Sequence, residues 1–85
     1  MVYKISPKEI FQAHSLIMHL GTDTALGKMY EGVETSWNED KKEVRMRTEG
    51  AQLKVKDLKR YHIDYANEDR KNRLFEKLHK ILEEH

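Results

Sequence analysis

Apolar residues recur every three or four positions near both ends of this chain and every second position in between. After Ile10, the residues Ala13, His14, Ile17 and Met18 share one face at helical spacing, with Phe11 beside it. Towards the other end Leu74, Phe75, Leu78, Ile81 and Leu82 form a second stripe of the same period. In the middle Val33, Thr35, Val44, Met46, Leu53 and Val55 alternate with polar neighbours, the pattern of strands with one buried face.

The ends of the first helix are written locally. Ser6-Pro7-Lys8-Glu9 is a capping box with Pro at the first helical position, and Ile5 and Ile10 stand where a hydrophobic staple needs them. Gly21 predicts a left-handed stop after Leu20. Thr22 to Lys28 reads as a connector, in which Ala25 and Leu26 could make a short helical turn capped by Thr22 or Asp23. Asn67 predicts the cap of the last helix, with Glu68 and Asp69 suiting its positive end.

Two turn signals, Asn38-Glu39-Asp40-Lys41 and Glu49-Gly50, divide the middle into three strands. Folded there, the chain aligns Val33, Met46 and Leu53 in one row and Thr35, Val44 and Val55 in the next. The opposite face carries Glu34, Arg45 and Lys54, with Ser36, Glu43 and Lys56 beside them. After Asp57 two readings stand. Leu58, Tyr61 and Tyr65 suit a helical turn capped by Asp57, whereas Tyr61, Ile63 and Tyr65 alternate as a short fourth strand. The whole predicts one α+β domain: a helix over 6–20, an antiparallel meander of three to four strands, and a helix over 67–84. An SH3-like barrel over 32–65 is the closed alternative for the sheet.

Length agrees with one domain, because 85 residues cannot divide into two cores that each offset chain entropy. Charged residues nearly equal hydrophobic ones, 36% against 38%, so the core is expected to be thin. With no cysteine, disulfide scaffolds, Cys-type zinc sites, iron–sulfur clusters and thiol catalysis are excluded. The start lacks the apolar run of a signal peptide and no stretch reaches membrane-span length, so a cytoplasmic location is expected.

Charge adds a polarity that the net value of +1 conceals. Residues 1–40 carry three basic and six acidic side chains; the rest carry 13 basic and nine acidic. The excess falls on Arg45, Arg47, Lys54 and Lys56 of the charged sheet face, and on Arg70, Lys71 and Arg73 at the start of the last helix, with Lys59 and Arg60 upstream. Arg suits a phosphate because its planar donors match the oxygens. Tyr30 is expected on the same strand face, where it could stack a base. Beside this stands an ordinary salt-laced solvent surface.

Catalytic chemistry finds little support. Ser6 is a cap, Ser15 and Ser36 lack a nucleophile context, and the four glycines stand singly, so no phosphate loop is present. His14 and His19 are five apart and diverge on a helix; His62 and Asp64 could share one side of a strand, but two ligands make no metal site. Trp37, the only tryptophan, is expected to close the bottom of the core.

The α-three-strand-α order is similar to that of double-stranded RNA-binding domains. Their Gly-Pro-x-His loop and Lys-Lys-x-Ala-Lys helix start are missing here, so their binding residues do not carry over. The expected function is a small non-enzymatic binding or regulatory module contacting nucleic acid through Arg45, Arg47, Lys54 and Lys56, helped by Arg70, Lys71 and Arg73. The alternative is a protein-interaction, inhibitor or adaptor subunit, including a homodimer. No cofactor or metal is expected.

Overall fold

The computed structural model describes residues 5–56 and 61–85. Its elements run α1 (Pro7–Leu20), β1 (Thr22–Asp23), β2 (Lys28–Tyr30), β3 (Val33–Asn38), β4 (Glu43–Thr48), β5 (Ala51–Val55), β6 (Tyr61–Tyr65) and α2 (Glu68–Glu84). The six strands form one open antiparallel sheet in sequence order, with β1 and β6 at its edges. The α+β class therefore holds. The meander has six strands in place of three to four, and it is an open sheet where a barrel was the alternative.

Helix α1 begins as its sequence dictates. The Ser6 hydroxyl accepts from the Glu9 N–H at 3.2 Å, and the Glu9 carboxylate accepts from the Ser6 N–H at 3.1 Å. Its end differs from expectation. Gly21 is extended, at φ −77°, and its N–H reaches the Ile17 carbonyl at 2.7 Å. Glycine is needed there for space: a Cβ would lie 2.6 Å from the Ile17 oxygen and 2.7 Å from that of Met29. The connector after it is a tight hairpin of β1 and β2, with no helical turn at Ala25 and Leu26.

The β2–β3 hairpin is a two-residue loop in which Glu31 and Gly32 both take positive φ, 52° and 80°. Two such residues make a type I′ turn, whose twist matches that of the strands. The β4–β5 hairpin turns at Glu49-Gly50 and sets Met46 opposite Leu53 and Val44 opposite Val55, as predicted. Between β3 and β4 the register is two residues away from expectation. Thr35 faces Met46 and Trp37 faces Val44, because the loop spans 39–42 instead of two residues. The Asn38 side chain accepts from the Lys41 N–H at 3.0 Å and Lys42 adopts φ 51°, which together fix the longer loop. An even shift leaves every side chain on its expected face. Of the two readings after Asp57, the strand is the one observed; Asp57, Leu58, Lys59 and Arg60 lie outside the described residues.

Both helices cover the same face of the sheet. Ile10, Ala13 and Ile17 of α1 and Leu74, Phe75, Leu78 and Ile81 of α2 meet Val33, Val44, Met46, Leu53 and Val55 in one buried cluster. Met18, expected on this face, is 40% exposed. Thr35 is the buried polar residue of the layer. Its hydroxyl donates to the Arg45 carbonyl at 3.2 Å and accepts from His14 Nδ1 at 2.7 Å. No helix among the described residues is long and apolar enough to cross a membrane.

Candidate functional site: the uncovered sheet face

Two helices on one side leave the other side of the sheet to solvent. Strand alternation places two cross-strand rows there: Met29, Glu34, Arg47, Gln52 and Asp64 in one, and Ser36, Arg45, Lys54 and His62 in the next. Four of the expected site residues, Arg45, Arg47, Lys54 and Lys56, are thereby gathered at one surface, Lys56 one residue beyond the end of β5.

Arg45 and Lys54 are direct cross-strand neighbours, an unfavourable pairing that the acids relieve. Arg45 Nε donates to the Glu43 carboxylate at 2.7 Å, and Arg47 Nε to that of Glu34 at 2.7 Å. Each bond uses one of the five donors of a guanidinium, which leaves the terminal forks for another acceptor. Glu43 is only 5% exposed. The Arg45 bond holds its carboxyl below the ordinary value against the opposing effect of burial, with Lys54 and Lys56 adding to the pull. Glu34 is held low by hydrogen bonds from Thr24 and Arg47. His62 and Asp64 stand side by side at 3.2 Å, and no three potential ligands cluster around a metal position among the described residues.

The face is hollowed beside β3, and again where Arg47, Gln52 and Asp64 meet. A shallow cavity of about 380 Å³ is walled by Leu26, Ser36, Trp37, Arg45, Arg47 and Gln52. Trp37 was expected in the core; it is 45% exposed, with its indole N–H bonded to the Glu39 carboxylate. An indole buried among the aliphatic side chains would need a partner for that N–H, and Glu39 supplies one at the surface. Tyr30 is also displaced from expectation. It pairs with Val33 on the helical side, packs against the core and bonds His85 through its hydroxyl at 3.1 Å. By alternation Trp37, opposite Val44, belongs to the helical side, and it lies exposed at the end of β3 where it borders the hollow.

The helix-start cations occupy the other layer. Arg70 lies against Gly50 with Glu49 at 3.7 Å, Lys71 pairs with Glu68 at 2.7 Å and sits over the Tyr65 ring, and Arg73 pairs with Asp69 at 3.1 Å. The sheet separates these three from the four on its open face. No family model matches the sequence, and no curated protein or solved structure matches it either.

Proposed function

We propose that this chain is a non-enzymatic module that binds single-stranded nucleic acid on its uncovered sheet face. The observation that carries the reading is the gathering of Arg45, Arg47, Lys54 and Lys56 on that face, with the exposed Trp37 at the end of β3 bordering a hollow beside Arg45 and Arg47. Single strands are held by this combination of an aromatic platform for a base and cations along the backbone, with about 1–3 kcal/mol per stacked base. Trp37 stacks; the guanidinium forks of Arg45 and Arg47 and the ammonium groups of Lys54 and Lys56 take phosphates. Arg70, Lys71 and Arg73, on the far layer, would meet a longer strand only if it wrapped the sheet edge.

The acids Glu34 and Glu43 favour a second reading, a protein partner whose own charges interleave with this face while Leu26 and Trp37 anchor it. One titration separates the two. As the single tryptophan, Trp37 reports stacking by quenching of its own emission. Short single-stranded DNA and RNA should quench it, with an affinity that falls steeply as salt rises. Arg45→Glu should weaken binding by about tenfold and flatten the salt dependence, and should lower the melting temperature because the buried Glu43 loses its partner. Lys54→Glu, which relieves the like-charge pair with Arg45, should weaken binding with the melting temperature little changed. Unchanged emission at low salt, or equal affinity of Arg45→Glu, overturns the nucleic-acid reading in favour of the protein partner.

A further inference from the structure

The free edge of the sheet at β6 has a property that the open face does not use. Along Tyr61-His62-Ile63-Asp64-Tyr65 the residues read symmetrically about Ile63: an aromatic at each end, and an imidazole and a carboxylate at equivalent steps. We infer that β6 is a homodimer interface, pairing antiparallel with β6 of a second copy about a two-fold axis at Ile63. The result is a continuous sheet across both chains.

Backbone geometry supports the pairing. Ala66 donates its N–H to the Gly50 carbonyl at 2.8 Å, one step beyond the Tyr65–Ala51 pair. Residues in an antiparallel strand alternate in the direction of their polar groups. His62 and Asp64, in phase with Ala66, point N–H and C=O at β5. Tyr61, Ile63 and Tyr65 therefore point theirs away from β5, to the edge where no strand of the described residues pairs. These are the groups that a two-fold at Ile63 joins. Ile63 meets the partner's Ile63, and Tyr61 meets the partner's Tyr65, in both directions. Each pair exchanges two hydrogen bonds.

Side chains agree with the backbone. In this register His62 stands directly opposite the partner's Asp64 on the open face, and Asp64 opposite the partner's His62. Both side chains are about 70% exposed in the single chain, where they lie 3.2 Å from each other and can exchange that contact for the partner's. They occupy the non-hydrogen-bonded positions, where Cα atoms come to about 4.5 Å and side chains are closest. On the helical side Tyr61 and the partner's Tyr65 meet. A register displaced by two residues would lose one end of the ladder and place His62 against His62 or Asp64 against Asp64, so the centred register is the one that sets an imidazole donor opposite a carboxylate acceptor. Five residues without proline or lysine leave this edge without the usual devices against pairing. The other edge, β1, has two residues, and its Asp23 is tied to Lys28 at 2.7 Å.

The chain lacks cysteine, which makes the register directly testable. Full-length H62C and D64C are prepared separately, then oxidised alone and as an equal mixture. Disulfide-linked dimer is expected in the mixture and in neither variant alone, because only residue 62 of one chain and residue 64 of the other are opposed. Light scattering of the unmodified chain should give twice the 10.2 kDa mass at the higher concentrations. His62→Asp should weaken the dimer about tenfold by opposing like charges twice, and the exchange H62D/D64H should restore it. Circular dichroism confirms that each variant is folded. A monomer at every concentration overturns the inference, as does a dimer whose cross-linking is no greater in the mixture than in either variant alone. The nucleic-acid titration is read separately through Trp37, so either proposal can fail without the other.

Discussion

Thr35 shows how a single polar residue ties the two layers together. It has no exposure, yet its hydroxyl both donates to the Arg45 carbonyl and accepts from His14 of α1. One hydrogen on the oxygen fixes the direction of both bonds, so His14 carries its proton on Nδ1. Thr35→Val keeps the shape and removes both bonds, leaving a half-buried imidazole N–H without its acceptor. Chemical denaturation should show a loss of about 1–3 kcal/mol. Burial also holds the His14 imidazole below its ordinary value of 6.5. The unfolded chain then binds the proton more readily than the folded one, so stability should fall as pH drops below 6.5 towards the lowered value. His14→Gln should remove that part of the pH dependence, seen as a flatter profile of melting temperature between neutral and mildly acidic pH.

At the scale of elements, what was legible depended on whether the signal was local. The capping box, the Asn67 cap and the two apolar stripes are short-range patterns, and both helices stand within a residue of their expected ends. The Glu49-Gly50 turn fixed β4 and β5 because Gly50 alone meets the demand for φ 79°. Glu31-Gly32 was missed because a glutamate at φ 52° is an uncommon half of a type I′ turn; with it went β2, whose Lys-Met-Tyr has no alternation of its own. Lys42, another side chain at positive φ, hid the longer loop and the two-residue register shift. The four cations of the open face were legible since an even shift preserves faces, while Trp37 is exposed at the end of β3 instead of closing the core and Tyr30 lies on the helical side. Gly27 carries a constraint that no local pattern announces. A Cβ there would run into the Thr35 carbonyl oxygen and lie 3.0 Å from Ser36 Cα, both backbone atoms that have nowhere to go. Gly27→Ala should therefore cost at least about 1–3 kcal/mol, and hydrogen exchange should show β1 and β2 loosened more than β4 and β5.

For the molecule as a whole, the open face is a balance between four cations and the acids set among them, and pH moves that balance in a defined direction. Glu34 and Glu43 have carboxyls held below the ordinary 4.5 by their arginine and threonine partners. A depressed carboxyl contributes stability that is fully present above the unfolded value and is lost as pH falls through the folded one. Thermal stability should therefore decline below pH 4.5, after the earlier decline due to His14. Glu43 matters most because it is the buried member: protonated, it gives up Arg45 and remains enclosed beside Val44. The same substitution separates stability from binding at neutral pH. Glu43→Gln keeps size and an acceptor oxygen but removes the charge that competes for Arg45. Its melting temperature should drop and its acid limb should shrink, while its affinity for single-stranded nucleic acid, read by Trp37 quenching, should rise several-fold with a steeper salt dependence. If affinity fell together with stability, the Glu43–Arg45 pair would be orienting the guanidinium for its ligand. A carboxylate that merely neutralises the face does not lower affinity when its charge is removed.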